Sequence, residues 1–321
     1  MIRVPVTHAF DPNMLAQKLA GPDGVAAFDA HIREIRAKKF EAAFCEAEAA
    51  SLFDIARLER GIAESAIPVE QIDIFSRGHI VRLADLLHKT ARTGLDVAAE
   101  ELGAGATLRV RDLQRADADL MALIHAIQET FAAPAQINLY LTPPEQEGFP
   151  PHFDITDVFI VQIAGSKSWR IHPEYADQKR LPTADTAWEP QRYRPIGPVE
   201  ELTLRTGDVL YIPRGEMHSA ASVGEESMHL TISLAPVTYA DVLAAALARL
   251  AKEDVAFRRR VPLRNGDAAL ETEIRALIDR LHAGLDLSPI TETELQRLAA
   301  PGTPEGVLDR ALQSRHRRTA E

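Results

Sequence analysis

Residues 150–172 read PPHFDITDVFIVQIAGSKSWRIH. After Asp157 the run VFIVQIAG is β-branched and aromatic, apolar on both sides and too short for an ordinary helix, which predicts a buried strand. At its mouth stand His152 and Asp154. On an extended chain positions i and i+2 point to one side, so the two side chains can reach a single ion. A histidine and an aspartate at this spacing also meet by chance, so the reading depends on whether a third ligand is supplied elsewhere in the sequence.

Outward from this stretch the texture stays β. QINLYLT, SWRIH, ELTLRTGDVLYIP and MHLTISLAP are short β-branched or aromatic runs between Gly, Pro and charged turns, the pattern of an all-β sandwich or barrel. In TGDVLYIPRGEMH, Gly207 and Asp208 separate two strands, while Pro213 and Gly215 end the second and lead to His218. A jelly roll can bring His218 opposite His152 and Asp154. Two imidazoles and a carboxylate on one side of a metal leave the other side open, the facial arrangement of non-haem Fe(II) oxygenases.

Either side of this core the periodicity is helical. Residues 1–106 carry it in PNMLAQKLAG, DAHIREIRAKKFEAAF and RLADLLHKTARTGLDVAAEEL, and ADADLMALIHAIQETF repeats it with Leu120, Leu123, Ile124 and Ile127 on one face. After Pro236 it returns in YADVLAAALARLAKEDVAF, AALETEIRALIDRLHAGL and TETELQRLAA. The expected fold is a mainly β core, a double-stranded β-helix, with helical N- and C-terminal regions. The expected boundaries are 1–106 for the helical lead-in, 107–236 for the jelly roll and 237–321 for the C-terminal helices.

Composition removes several classes of function. With 36 Lys and Arg against 47 Asp and Glu, the net charge of −11 disfavours direct nucleic-acid binding. Cys45 is the single cysteine, so an intrachain disulfide and a thiolate-rich metal site are excluded, and any metal must use nitrogen and oxygen ligands. The start MIRVPVTHAF lacks an uninterrupted apolar signal segment and no stretch approaches a membrane span, which predicts a cytoplasmic protein without membrane contact. GAGAT at 103–107 lacks the further glycine of a dinucleotide fingerprint, and neither GK[ST] nor G-x-S-x-G occurs. FRRRVPLR at 257–264 reads either as a basic docking face or as a solvated charge run, and Trp169 and Trp188 read as packing residues.

The run INLYLTPPEQEGFPPHFDITDVFIVQIAGSKSWRIH, with GDVLYIPRGEMHSA and MHLTISL after it, resembles the ribosomal-oxygenase branch of the JmjC-type, 2-oxoglutarate-dependent hydroxylases of the cupin superfamily. The linked elements are an N-x-Y-x-T-P-P segment, the H-x-D, a lysine 15 positions after the first histidine and the G-D-x-L-Y-x-P-x-G-x-x-H turn. They lie in the family's order and cover roughly residues 105–236. The resemblance implies Fe(II) held by His152, Asp154 and His218. It implies that Lys167 binds the distal carboxylate of 2-oxoglutarate, with Asn138, Tyr140 and Thr231 as further contacts to that co-substrate. His229 matches a histidine common in the branch and is expected beside the metal site rather than as a fourth ligand.

The activity so implied is hydroxylation of a C–H bond in a side chain of a protein or peptide, with release of succinate and CO2. Alternatives left open are the same chemistry on a small molecule, a natural-product peptide or an N-methylated side chain, and a non-catalytic metal-binding cupin. Glu145, Glu147, Asp157 and Glu216 near the motifs favour a basic partner such as a ribosomal protein segment by charge complementarity. The resemblance also implies a homodimer through helices after the core, where Val242, Leu243, Ala246, Leu247 and Leu250 form an apolar stripe.

Overall fold

The structure is a computed structural model. It describes residues 10–76, 78–88, 90–183, 185–187, 189–261 and 267–284. Trp188, the segment TETELQRLAA and the last three residues of FRRRVPLR lie outside them. Among the described residues eleven strands run in chain order: β1 (Lys38–Phe40), β2 (Ile72–Ser76), β3 (His79–Arg82), β4 (Thr107–Val110), β5 (Ala135–Thr142), β6 (Asp157–His172), β7 (Glu174–Tyr175), β8 (Pro195–Ile196), β9 (Glu200–Arg205), β10 (Val209–Ile212) and β11 (Met217–Leu234). The helices are α1 (Pro12–Lys18), α2 (Gly24–His31), α3 (Glu46–Leu52), α4 (Ile55–Ala63), α5 (Leu83–Leu87), α6 (Gly94–Gly103), α7 (Ala118–Phe131), α8 (Tyr239–Glu253) and α9 (Asp267–Gly284).

The protein divides into two compact units, one of Met1–Phe131 with Ala135–Ala235 and one of the residues from Pro236 on with Ala132–Pro134. In the first unit the antiparallel order is β1-β10-β6-β11-β5-β4-β2-β3, with β9 also paired to β6. The segments 157–165 and 168–172, read as two strands, are one 16-residue strand. Its first half pairs β10 and its second half pairs β9, while β11 follows it through both. Long strands that change partners midway turn the corners of a jelly roll. Gly165 makes the turn in β6. Its φ is +64°, and a Cβ there would lie 1.9 Å from the Glu226 carbonyl oxygen, so both the backbone conformation and the strand approach require glycine. The register between β6 and β11 slips at this place.

The helical period expected across 29–44 holds only to His31. Lys38–Phe40 instead pair with Val209–Tyr211, because β10 offers an open edge and the pairing buries Phe40 while Lys39 reaches Asp208 at 2.9 Å. This is tertiary override of a local preference. Strands β2 and β3, from inside the Ala- and Leu-rich lead-in, likewise extend the sheet beyond β5 by pairing through β4. The α7 stripe behaves as its period predicts, with Leu120, Leu123, Ile124 and Ile127 all buried. On the outer face of the sheet Phe28, Phe131, Phe159 and Tyr211 interlock, with Phe28 edge-on to Tyr211 at 4.8 Å. Each such ring contributes about 1.5–3 kcal/mol by burial, so the helices are part of the core that supports the inner face.

Candidate metal centre and its pocket

His152 and Asp154 do not lie on a regular strand. His152 makes one isolated antiparallel bridge with His218, its N–H donating to the His218 carbonyl at 3.0 Å and its own carbonyl accepting the His218 N–H at 2.7 Å. Residues directly opposed in such a pair carry their side chains to the same face, and the imidazole centroids stand 4.5 Å apart. Asp154 is fixed by its carbonyl, which accepts the Gly215 N–H at 2.9 Å, and its Oδ2 stands 3.7 Å from His218 Nε2. One ligand atom from each of His152, Asp154 and His218 falls within 4.8 Å of the others. The second histidine therefore arrives opposite the first two side chains through register alone.

The tautomers are set locally. His152 Nδ1 lies 2.7 Å from the Pro150 carbonyl and His218 Nδ1 lies 3.0 Å from the Glu216 carbonyl. A carbonyl can only accept, so each Nδ1 carries the proton and each Nε2 presents a lone pair. Burial, with the His152 imidazole beside it, draws the pKa of His218 down to about 4, so the ring is a neutral ligand at physiological pH. Nitrogen and oxygen donors on one side of a cavity suit a divalent first-row metal.

Behind the triad lies a pocket with Val158, Ile160 and Trp169 as apolar wall. Lys167 closes it. The residue is 2% exposed, and Nζ donates to Thr142 Oγ1 at 2.9 Å. Among the described residues it makes no ion pair, and burial alone draws its pKa down to about 7. A buried ammonium with one neutral acceptor has room for a carboxylate partner. Two more polar atoms at this wall, Trp169 Nε1 and His229 Nδ1, are buried without a hydrogen-bond partner. The lining thus fits a small polar anion that reaches from Lys167 toward the triad.

Tyr140 and Thr231 line the pocket with Lys167. Asn138 pairs with Thr231 in register but does not line it, since its Oδ1 accepts the Asp112 N–H at 3.1 Å. His229 is buried, stacks on Tyr140 at 4.9 Å and has its pKa held well below the ordinary value by burial and by Lys167. It is not within the ligand cluster. Trp169 packs as the sequence predicts, in a buried cluster with Ile171, Leu204 and Leu210, and it also lines the pocket, two positions after Lys167 on β6. Arg109 and Asp73 were not singled out, yet they continue the row of Tyr140 across β4 and β2, with Asp73 Oδ2 accepting from Arg109 Nη2 at 2.7 Å.

The acidic residues near the motifs separate into two kinds. Asp157 is fully buried and accepts the Arg214 N–H at 2.9 Å, and Glu216 accepts the Ala37 N–H at 3.1 Å, each with its pKa raised by burial. They are structural, which corrects their expected part in attracting a basic partner. Glu145 and Glu147 are exposed.

Comparison with known proteins agrees with this geometry. Residues 112–242 match the JmjC domain family. Human ribosomal oxygenase 1 is 36% identical over 169 residues, 50% of this chain and 26% of that protein. The Drosophila erecta bifunctional lysine-specific demethylase and histidyl-hydroxylase NO66 is 35% identical over 167 residues, 50% of this chain and 25% of that protein. The matched region therefore spans about a quarter of the length of these relatives. YcfD, a ribosomal oxygenase from Escherichia coli solved with cobalt and succinic acid, shares the fold at a TM-score of 0.51 and 18% identity, over 85% of this chain and 68% of that one. Residues 112–242, which hold the triad and Lys167, are thus similar to the JmjC domain family, on a fold shared with YcfD.

Proposed function

We propose that this protein is an Fe(II)- and 2-oxoglutarate-dependent oxygenase that hydroxylates a C–H bond in a side chain of a protein or peptide, with release of succinate and CO2. The observation that carries the reading is the buried Lys167 ammonium, without a counter-ion among the described residues, in the same pocket as the His152, Asp154 and His218 triad. Iron with 2-oxoglutarate supplies the oxidising chemistry. The protein's own residues bind, orient and exclude water. His152 and His218 would offer Nε2 and Asp154 a carboxylate oxygen to hold the ion. Lys167 with the Thr142 hydroxyl holds the distal carboxylate. Tyr140, Thr231 and the Trp169 N–H are the further polar contacts, with Asn138 opposite Thr231 in register. Val158 and Ile160 keep the pocket dry, which strengthens the ammonium–carboxylate contact.

In this reading residues 107–236 are the catalytic domain, 1–106 support it and 237–321 pair two copies. The α8 stripe supports the homodimer: Leu243 is 54% and Leu247 41% exposed, more apolar surface than a lone helix normally leaves in water. The protein is cytoplasmic, and no described helix is long and apolar enough to cross a membrane. Its substrate is a basic ribosomal protein segment, supported by the names of its relatives and by the exposed Glu145 and Glu147 beside the H-x-D segment.

Anaerobic titration with Fe(II) and then 2-oxoglutarate is expected to give a weak visible charge-transfer band, and incubation of cell-extract proteins in air a +16 Da product by mass spectrometry. Metal binding without the band would point to the non-catalytic cupin. The band with only a small-molecule product would remove the protein substrate.

A further inference from the structure

A second, open cavity, of about 530 Å³, lies in the first unit between residues 34–36, residues 178–181 and the turn Pro213–Glu216. It shares no lining residue with the metal pocket. Three arginines face it. Arg214 is committed, with Nη2 on Glu34 at 2.8 Å and Nη1 on the Pro182 carbonyl at 3.3 Å. Arg36 and Arg180 are exposed and make no side-chain hydrogen bond or ion pair among the described residues. The carboxylates on this wall are already engaged: Glu34 pairs with Arg214, and Glu216 caps the Ala37 N–H. In a protein of net charge −11, two uncommitted guanidinium groups at one cavity run against the background charge. Beside them Ile35 is 61% and Leu181 42% exposed, an apolar wall next to the cations.

The floor of this cavity is the turn that supports the metal ligands. Gly215 has φ +82°, and a Cβ would lie 2.3 Å from the Lys179 carbonyl oxygen, so the turn is packed directly beneath the 178–181 loop. Tyr175 ties the two together, its hydroxyl donating to the Gly215 carbonyl at 2.8 Å and accepting the Lys179 N–H at 2.9 Å. From the same turn the Gly215 N–H holds the Asp154 carbonyl, and the Glu216 carbonyl holds His218 Nδ1.

We infer that this cavity is a second ligand site, taking an oxyanion carried on an aliphatic chain, namely a small polycarboxylate, on Arg36 and Arg180 against Ile35 and Leu181. Guanidinium groups grip carboxylates through paired N–H donors, and the volume is that of a small-molecule site. A ligand here stiffens the turn that orients Asp154 and His218. The inference is independent of the reaction assigned to the metal pocket.

The test is calorimetric titration of the metal-free 321-residue chain with citrate and, separately, inorganic phosphate. The proteins are the parent, Lys167→Ala to silence the first pocket, Arg36→Gln/Arg180→Gln, and Leu181→Asp as a change in the apolar wall. Citrate is expected to bind the parent and Lys167→Ala alike and at least tenfold more weakly to the other two, and to slow amide exchange across 213–218 severalfold. Equal binding by the arginine variant, loss of binding in Lys167→Ala, or no citrate binding by the parent would overturn the site. Phosphate binding as tight as citrate would overturn the aliphatic ligand, and unchanged exchange would overturn the link to the metal turn.

Discussion

The two ends of the pocket are built differently. At the rim, His152 and Asp154 hang on one bridge to β11 and one hydrogen bond from Gly215, and each imidazole is oriented by a carbonyl two residues before it. At the floor, Lys167 sits in the middle of β6, laddered to β11 on one side and to β9 on the other. Rim geometry is local and inexpensive to lose, so a ligand can be removed with little cost to the fold. Floor geometry depends on the corner of the jelly roll, and there chemistry and stability are coupled.

Alanine at Asp154 or His152 gives the largest expected effect. Iron binding and 2-oxoglutarate turnover should disappear, while unfolding free energy changes by no more than about 1 kcal/mol, since the fold is formed without the ion, unlike that of a zinc finger. Anaerobic Fe(II) titration and urea denaturation check both halves. A folded variant that kept turnover would remove the triad, and a collapse of stability would erase the difference between rim and floor.

Gly165→Ala comes next and should do the opposite. Its Cβ meets the Glu226 carbonyl at a positive φ, so a loss of about 3 kcal/mol or more is expected from backbone strain plus overpacking. A shift of the urea midpoint within error would show that the corner is not tightly built.

Lys167→Met tests the floor's charge. Losing an ammonium–carboxylate contact in a dry pocket should weaken 2-oxoglutarate binding by about 1.5–3 kcal/mol, roughly 10- to 150-fold, with Fe(II) affinity little changed. The pH dependence has a definite sign. In the ligand-free protein the Lys167 pKa lies at about 7, whereas an unfolded lysine titrates near ~10.4. Between those values the unfolded state binds more protons, so parent stability relative to Lys167→Met should rise with pH, by at most about 1.4 kcal/mol per unit. The carboxylate requires the charged form, so 2-oxoglutarate binding above pH 7 should take up a proton and weaken. Calorimetry in buffers of different ionisation enthalpy measures that uptake, and its absence would give the carboxylate to another cation. Arg170, three residues along β6, is exposed on the other face.

The smallest effect is expected at the exposed acids. Glu145→Lys with Glu147→Lys should weaken binding of a basic peptide several-fold at low salt and less at high salt, because exposed charges are screened within about 10 Å at 0.1 M. Uncoupled 2-oxoglutarate decarboxylation should persist. Equal peptide hydroxylation by variant and parent at low salt would remove charge complementarity from the substrate argument.

Alternation and spacing along the sequence were enough for whatever depends on neighbours. They determined the β texture after Gln136, the buried stripe of α7 and the opposite faces of Lys167 and Arg170, because side-chain direction follows strand and helix period. The linked motifs added Lys167 and His218. Tertiary structure alone decided the rest. It opposed His218 to His152 by cross-strand register, drew Lys38–Phe40 out of a helical pattern onto the open edge of β10 and buried Asp157 beneath Arg214. Register, edge pairing and burial are set by residues tens to more than a hundred positions away, so no local period carries them.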